Sequence, residues 1–100
     1  MMKEFNRYNL SKPYSYYQCR YNMLITQINV LSYSIEKDSK YYISIDAKRV
    51  IEETFQLDGY IECLFDLGII SESDYDKFYD FTKEIRYNSN EILLYLDFTN

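Results

Sequence analysis

The sequence predicts a small all-α protein, a bundle of three main helices at about 13–36, 46–67 and 72–86 with a C-terminal segment of undecided form. Three observations predict it. Two glycines and one proline in 100 residues leave few breakers. Apolar residues recur at steps of three and four along most of the chain. Helix entry and exit signals fall where those periods stop. No Pro/Gly/Ser-rich linker or internal repeat interrupts the chain, so residues 1–100 read as a single domain.

Ser11-Lys12-Pro13 marks the first helix entry, because the N–H that proline lacks has no partner in a first turn. Tyr14, Tyr17, Tyr21, Leu24, Ile28, Leu31 and Ile35 then form an a/d seam over three heptads. The alternative is α+β, with a hairpin at about 30–45, since Leu31, Tyr33 and Ile35 alternate with serines and Tyr41 to Ile45 is strand-like. Asp46 is a suitable N-cap for the second helix. Its buried stripe is Ala47, Val50, Ile51, Thr54, Leu57, Ile61, Leu64 and Phe65, and Gly68 ends it. Ser71 and Asp74 form an S-x-x-D variant of the capping box at the third helix, which turns Tyr75, Phe78, Tyr79, Thr82 and Ile85 inward. Asn88-Ser89-Asn90 breaks that helix, and Glu91 to Phe98 fits a short helix or an edge strand equally well.

Composition excludes much chemistry. Without histidine there is no Ser-His-Asp triad, Cys-His pair, HExxH zinc site or ExxH di-iron site. Gly59 and Gly68 build neither a P-loop nor a dinucleotide turn. Asp74-Tyr75-Asp76 lacks the glycine of a calcium loop. These absences predict a protein that is not an enzyme and carries no cofactor or metal. Cys19 and Cys63 are isolated, and neither a signal-peptide core nor an apolar run near 20 residues is present. A cytoplasmic protein with no membrane segment is expected.

Charge is segregated along the chain. Residues 1–50 hold eight Lys/Arg and four Asp/Glu, a net +4; residues 51–100 hold three and twelve, a net −9. Asp58, Glu62 and Asp66 form one i, i+4 row on the second helix, and Glu72, Asp76, Asp80 and Glu84 form another on the third. Like charges so spaced are mildly destabilising, and Lys77 and Lys83 are the only bases between Arg49 and Arg86. An antiparallel αα-hairpin presents both rows on one side as a ladder of carboxylates, comparable to the phosphates of a DNA strand. The plainer alternative is a solvated helical face. Tyr14, Tyr16, Tyr17 and Tyr21 cluster near Arg20, and Tyr16 alone leaves the seam, which makes it a candidate contact residue.

In size, charge and the acid rows at 58, 62, 66 and 72, 76, 80, 84, the chain resembles phage-encoded anti-CRISPR proteins, small acidic inhibitors. That resemblance implies stoichiometric inhibition. The carboxylates would bind Lys/Arg of a protein partner, Cas9 or another CRISPR effector nuclease, where DNA phosphates lie, steered by charge and anchored by tyrosine. The competing reading is a small dimeric regulator that binds nucleic acid through Arg7, Lys12, Arg20, Lys48 and Arg49. The first seam is long enough to form a homodimer as well as to pack internally.

Overall fold

A computed structural model describes residues 12–99, with side chains from 17 to 97. Three long helices follow one another: α1 (Lys12–Glu36), α2 (Lys40–Asp66) and α3 (Glu72–Thr99). The molecule is a rod of 47 × 19 × 17 Å, in which α2 packs against both of its neighbours. Three helices of 25, 27 and 28 residues joined by two short turns have little choice but to run up, down and up.

The seam of α1 is spent inside the bundle. Tyr17, Leu24 and Leu31 are buried, Tyr21 and Ile28 pack against them, and Ile35 is exposed. Tyr14 and Tyr16 have side chains outside the described residues. From α2 come Ile43, Ala47, Val50, Leu57, Ile61 and Leu64, and from α3 Phe78 and Leu96. Tyr17 meets Phe78 edge-on at 5.7 Å between ring centroids, and Tyr21 stacks on Phe81 at 6.2 Å, which ties α1 to α3.

Both turns end a helix in the same way. At Gly68 (φ +74°) the Gly68 N–H donates to Phe65 O and the Ile69 N–H to Leu64 O, a Schellman exit at the expected glycine. At Asp38 (φ +54°) the Asp38 N–H donates to Ile35 O and the Ser39 N–H to Ser34 O. Short polar residues such as aspartate tolerate this left-handed conformation better than most. Ser71 Oγ accepts the Asp74 N–H at 3.1 Å, the expected cap of α3.

Three expectations are corrected. The 30–45 hairpin is absent, because Tyr41 to Ile45 is helical, and α2 begins six residues before Asp46, at Lys40 with Ser39 as N-cap. Ile43 explains the extension: it continues the Ala47, Val50 stripe one turn upstream and is buried. Asp46 therefore lies within α2, buried at 4% exposure. Asn88-Ser89-Asn90 does not break α3. The propensity penalty of such residues is about 0.7 kcal/mol each at most, and the burial of Ser89 and Leu96 with Ile92 and Leu93 outweighs it. Ile51 and Phe65 sit at the margins of the α2 stripe; Phe65 is 38% exposed.

Candidate interaction face

Where α2 and α3 run antiparallel, residues equidistant from Ile70 meet. Phe65 packs on Tyr75 at 4.9 Å, and Asp58 Oδ1 accepts the Thr82 hydroxyl at 2.5 Å. Thr82, fully buried, also has Tyr79 O at 3.0 Å, so its single hydroxyl proton is shared between its neighbour and its own helix. Arg86 Nη1 reaches Asp58 Oδ2 at 2.6 Å, with the two side chains only 12% and 16% exposed. The guanidinium lies over the Phe55 ring at 4.6 Å and near Tyr79 at 5.8 Å. Tyr79 in turn stacks on Tyr75 at 6.3 Å. The result is a continuous ribbon, Phe65, Tyr75, Tyr79, Arg86 and Phe55, along the groove between the two helices.

Carboxylates border one end of this ribbon, and the α3 row continues away from it. Glu62 and Asp66 are exposed on the α2 side, and Glu72, Asp76, Asp80 and Glu84 are exposed on α3. Burial first, then the charges of Glu62, Asp58 and Asp66 and the neighbouring Tyr79, push the Tyr75 phenol above its ordinary value of 10.0. That shift records chiefly the burial of the ring, with the α2 row adding to it.

The two rows do not form one ladder. Each i+4 step overshoots a full turn by about 40°, so a row winds around its helix instead of running straight. The α3 row starts at Glu72 near the Tyr79 side and passes at Asp80 to the face opposite the core. The α2 row starts at Asp58 against α3 and moves outward through Glu62 to Asp66. Asp58 thus leaves the exposed row: its carboxylate is engaged by Thr82 and Arg86. Glu62, Asp66, Glu72, Asp76, Asp80 and Glu84 remain available to a partner, whereas the Tyr16 side chain lies outside the described residues.

Tyr79, expected inside, is 40% exposed, and the sequence pattern does not point to Phe55 or Arg86. Arg86 is 28 residues from Asp58 in sequence and lies one turn beyond Thr82, the residue opposite Asp58 in the register about Ile70, so the link becomes visible once the α2–α3 turn is fixed. Among the bases of the competing reading, Arg20 pairs with Glu53 at 3.5 Å, Lys48 and Arg49 are exposed, and Arg7 and the Lys12 side chain lie outside the described residues. Cys19 and Cys63 are free and exposed. Among the described residues no group of His, Cys, Asp and Glu is arranged to hold a metal ion, and no helix is long and apolar enough to cross a membrane. Compared with protein-family models, curated proteins and solved structures, the chain matches none.

Proposed function

We propose that this chain is a protein-binding inhibitor that occupies the nucleic-acid groove of an enzyme, with a CRISPR effector nuclease such as Cas9 as the target its style of sequence suggests. One observation supports the reading: exposed carboxylates of both helices stand beside one end of an aromatic ribbon and continue along the outer face of α3, while the nearest arginine is already committed to Asp58. Carboxylates steer the encounter with a basic groove. Phe55 at 59% exposure and Tyr79 at 40% supply the aromatic area that fixes the complex. Asp58 acts from below by holding Arg86, and through it the ribbon, in place.

The test is guide-directed DNA cleavage by the nuclease at equimolar inhibitor. Reversing Asp76, Asp80 and Glu84 to lysine is expected to lower inhibition at least about a hundredfold, since three juxtaposed like charges cost several kcal/mol. Helicity and melting temperature of this exposed triple variant should hold. Unchanged inhibition by the folded variant removes the reading.

A further inference from the structure

The helix α2 carries a second inward carboxylate, Asp46, set at the opposite hairpin. Its surroundings repeat those of Asp58. Ser34 of α1 donates its hydroxyl to Asp46 Oδ2 at 2.6 Å, as Thr82 of α3 does for Asp58. Two aromatic rings, Tyr33 and Tyr42, stand nearby as Phe55 and Tyr79 stand around Arg86. The ion pair has no counterpart among the described residues, although Arg49 lines the same cavity. Asp46 is 4% exposed, more deeply set than Asp58, and among the described residues it makes no ion pair. In place of the arginine there is a cavity of about 520 Å³ between α1 and α2, with Asp46 and Ser34 in its lining. A buried carboxylate with a single hydroxyl partner is costly unless a cation completes it.

The rim of the cavity has the opposite sign. Lys37 and Arg49 line it; both are exposed, and neither makes an ion pair among the described residues. Lys37 Nζ lies over the outer Tyr33 ring, 5.4 Å from its centroid. A ligand that satisfies both layers carries a cation at its inner end and an anion at its outer end.

From this arrangement we propose that the Ser34–Asp46 cavity binds an arginine that carries a free carboxylate. Its guanidinium pairs with Asp46 beside the Tyr42 ring, and its carboxylate meets Lys37 and Arg49 at the rim. Guanidinium is preferred over ammonium because a planar fork matches a carboxylate edge and stacks on an aromatic face, as Arg86 does within this same molecule. The site is independent of the acidic face and stands or falls without it.

The experiment is a titration of the full chain with L-arginine, followed by amide and side-chain NMR shifts. Saturable shifts at Tyr33, Ser34, Tyr42 and Asp46 are expected. L-citrulline, which replaces the guanidinium with a neutral urea, should bind about tenfold more weakly or worse, the equivalent of one lost charge-assisted pair. Agmatine, which lacks the carboxylate, should also bind more weakly. Asp46→Asn keeps the acceptor for Ser34 and should reduce affinity about tenfold or more. Tyr42→Ala, at a ring 58% exposed, should weaken binding with no effect on folding. A Gly-Gly-Arg peptide, compared with its C-terminal amide, separates a free amino acid from a peptide terminus as the source. The proposal is overturned by the absence of saturation up to ~10 mM arginine, which sets affinity below the range of a built site. Equal binding of citrulline or agmatine, or equal binding by the Asp46→Asn protein, overturns it too.

Discussion

The two hairpins of this molecule share α2 and use the same parts, yet one is closed and the other open. Each turn exits its helix through a left-handed residue, Asp38 in the first and Gly68 in the second. Each hairpin contains an α2 aspartate bonded to a hydroxyl of the adjacent helix. Only the second adds an arginine, and there the aromatic rings close over the ion pair. In the first, a comparable carboxylate faces a cavity. A polar pair thus joins the helices in both places, and among the described residues only the second is completed by a cation.

The largest effect should come from breaking the closed hairpin. Arg86→Ala leaves the largely buried Asp58 without its cation and is expected to cost about 2–3 kcal/mol in urea or thermal unfolding, somewhat less than a fully buried pair because both side chains retain some exposure. The Asp58→Ala, Arg86→Ala double variant should recover part of that loss; simple additivity would show that the pair is not coupled. Ser34→Ala tests the open hairpin. It removes the one hydroxyl on Asp46 and should cost about 1–2 kcal/mol, again by unfolding.

The turns give a smaller contrast of opposite sign. Gly68→Ala places a Cβ at φ +74° and should destabilise by about 1 kcal/mol, with no steric clash to add to it. Asp38→Gly relieves a left-handed aspartate and should stabilise by about 0.5 kcal/mol or less, because the added freedom of the unfolded chain offsets most of the gain. A Gly68→Ala protein as stable as the parent would refute the account of both turns.

Titration sharpens the comparison last. The fold keeps the Tyr75 phenol neutral beyond pH 10, where the unfolded chain already loses that proton. The unfolded state then binds fewer protons, so stability should decline as pH rises past 10. Tyr75→Phe should flatten that decline in alkaline denaturation, and the ultraviolet phenolate titration should lose one step above 10. Glu62→Gln should move the Tyr75 step back toward 10, since burial is the larger cause and charge the lesser one.

Much of this architecture was legible in the sequence because it rests on periodicity. The α1 seam from Tyr17 to Leu31, the α2 stripe from Ala47 to Leu64, the glycine exit at 68 and the Ser71 cap all sit where spacing and side-chain chemistry put them, whereas Ile35 is exposed. The misses have one physical source. Asp46 looked like a cap and Asn88-Ser89-Asn90 like a break because local preference was weighed without the neighbouring helix, whose packing is worth more. The candidate face was half legible: the exposed acids on α3 follow from composition, but the Asp58, Thr82 and Arg86 triad needs the register of two helices. Phe55 escaped because a lone exposed aromatic has no period; only the guanidinium above it gives it meaning.

The order of the helices also governs how quickly this fold assembles. Each turn brings together stretches adjacent in the chain, and α2 is in contact with both partners, so nearly all pairing is local and assembly on the microsecond to millisecond scale follows. The rings that join α1 to α3, Tyr17 with Phe78 and Tyr21 with Phe81, lie about sixty residues apart and must close the longest loop. A contact that closes so long a loop is expected to form after the two hairpins, so Phe81→Ala should speed unfolding more than it slows folding, as a denaturant chevron would read.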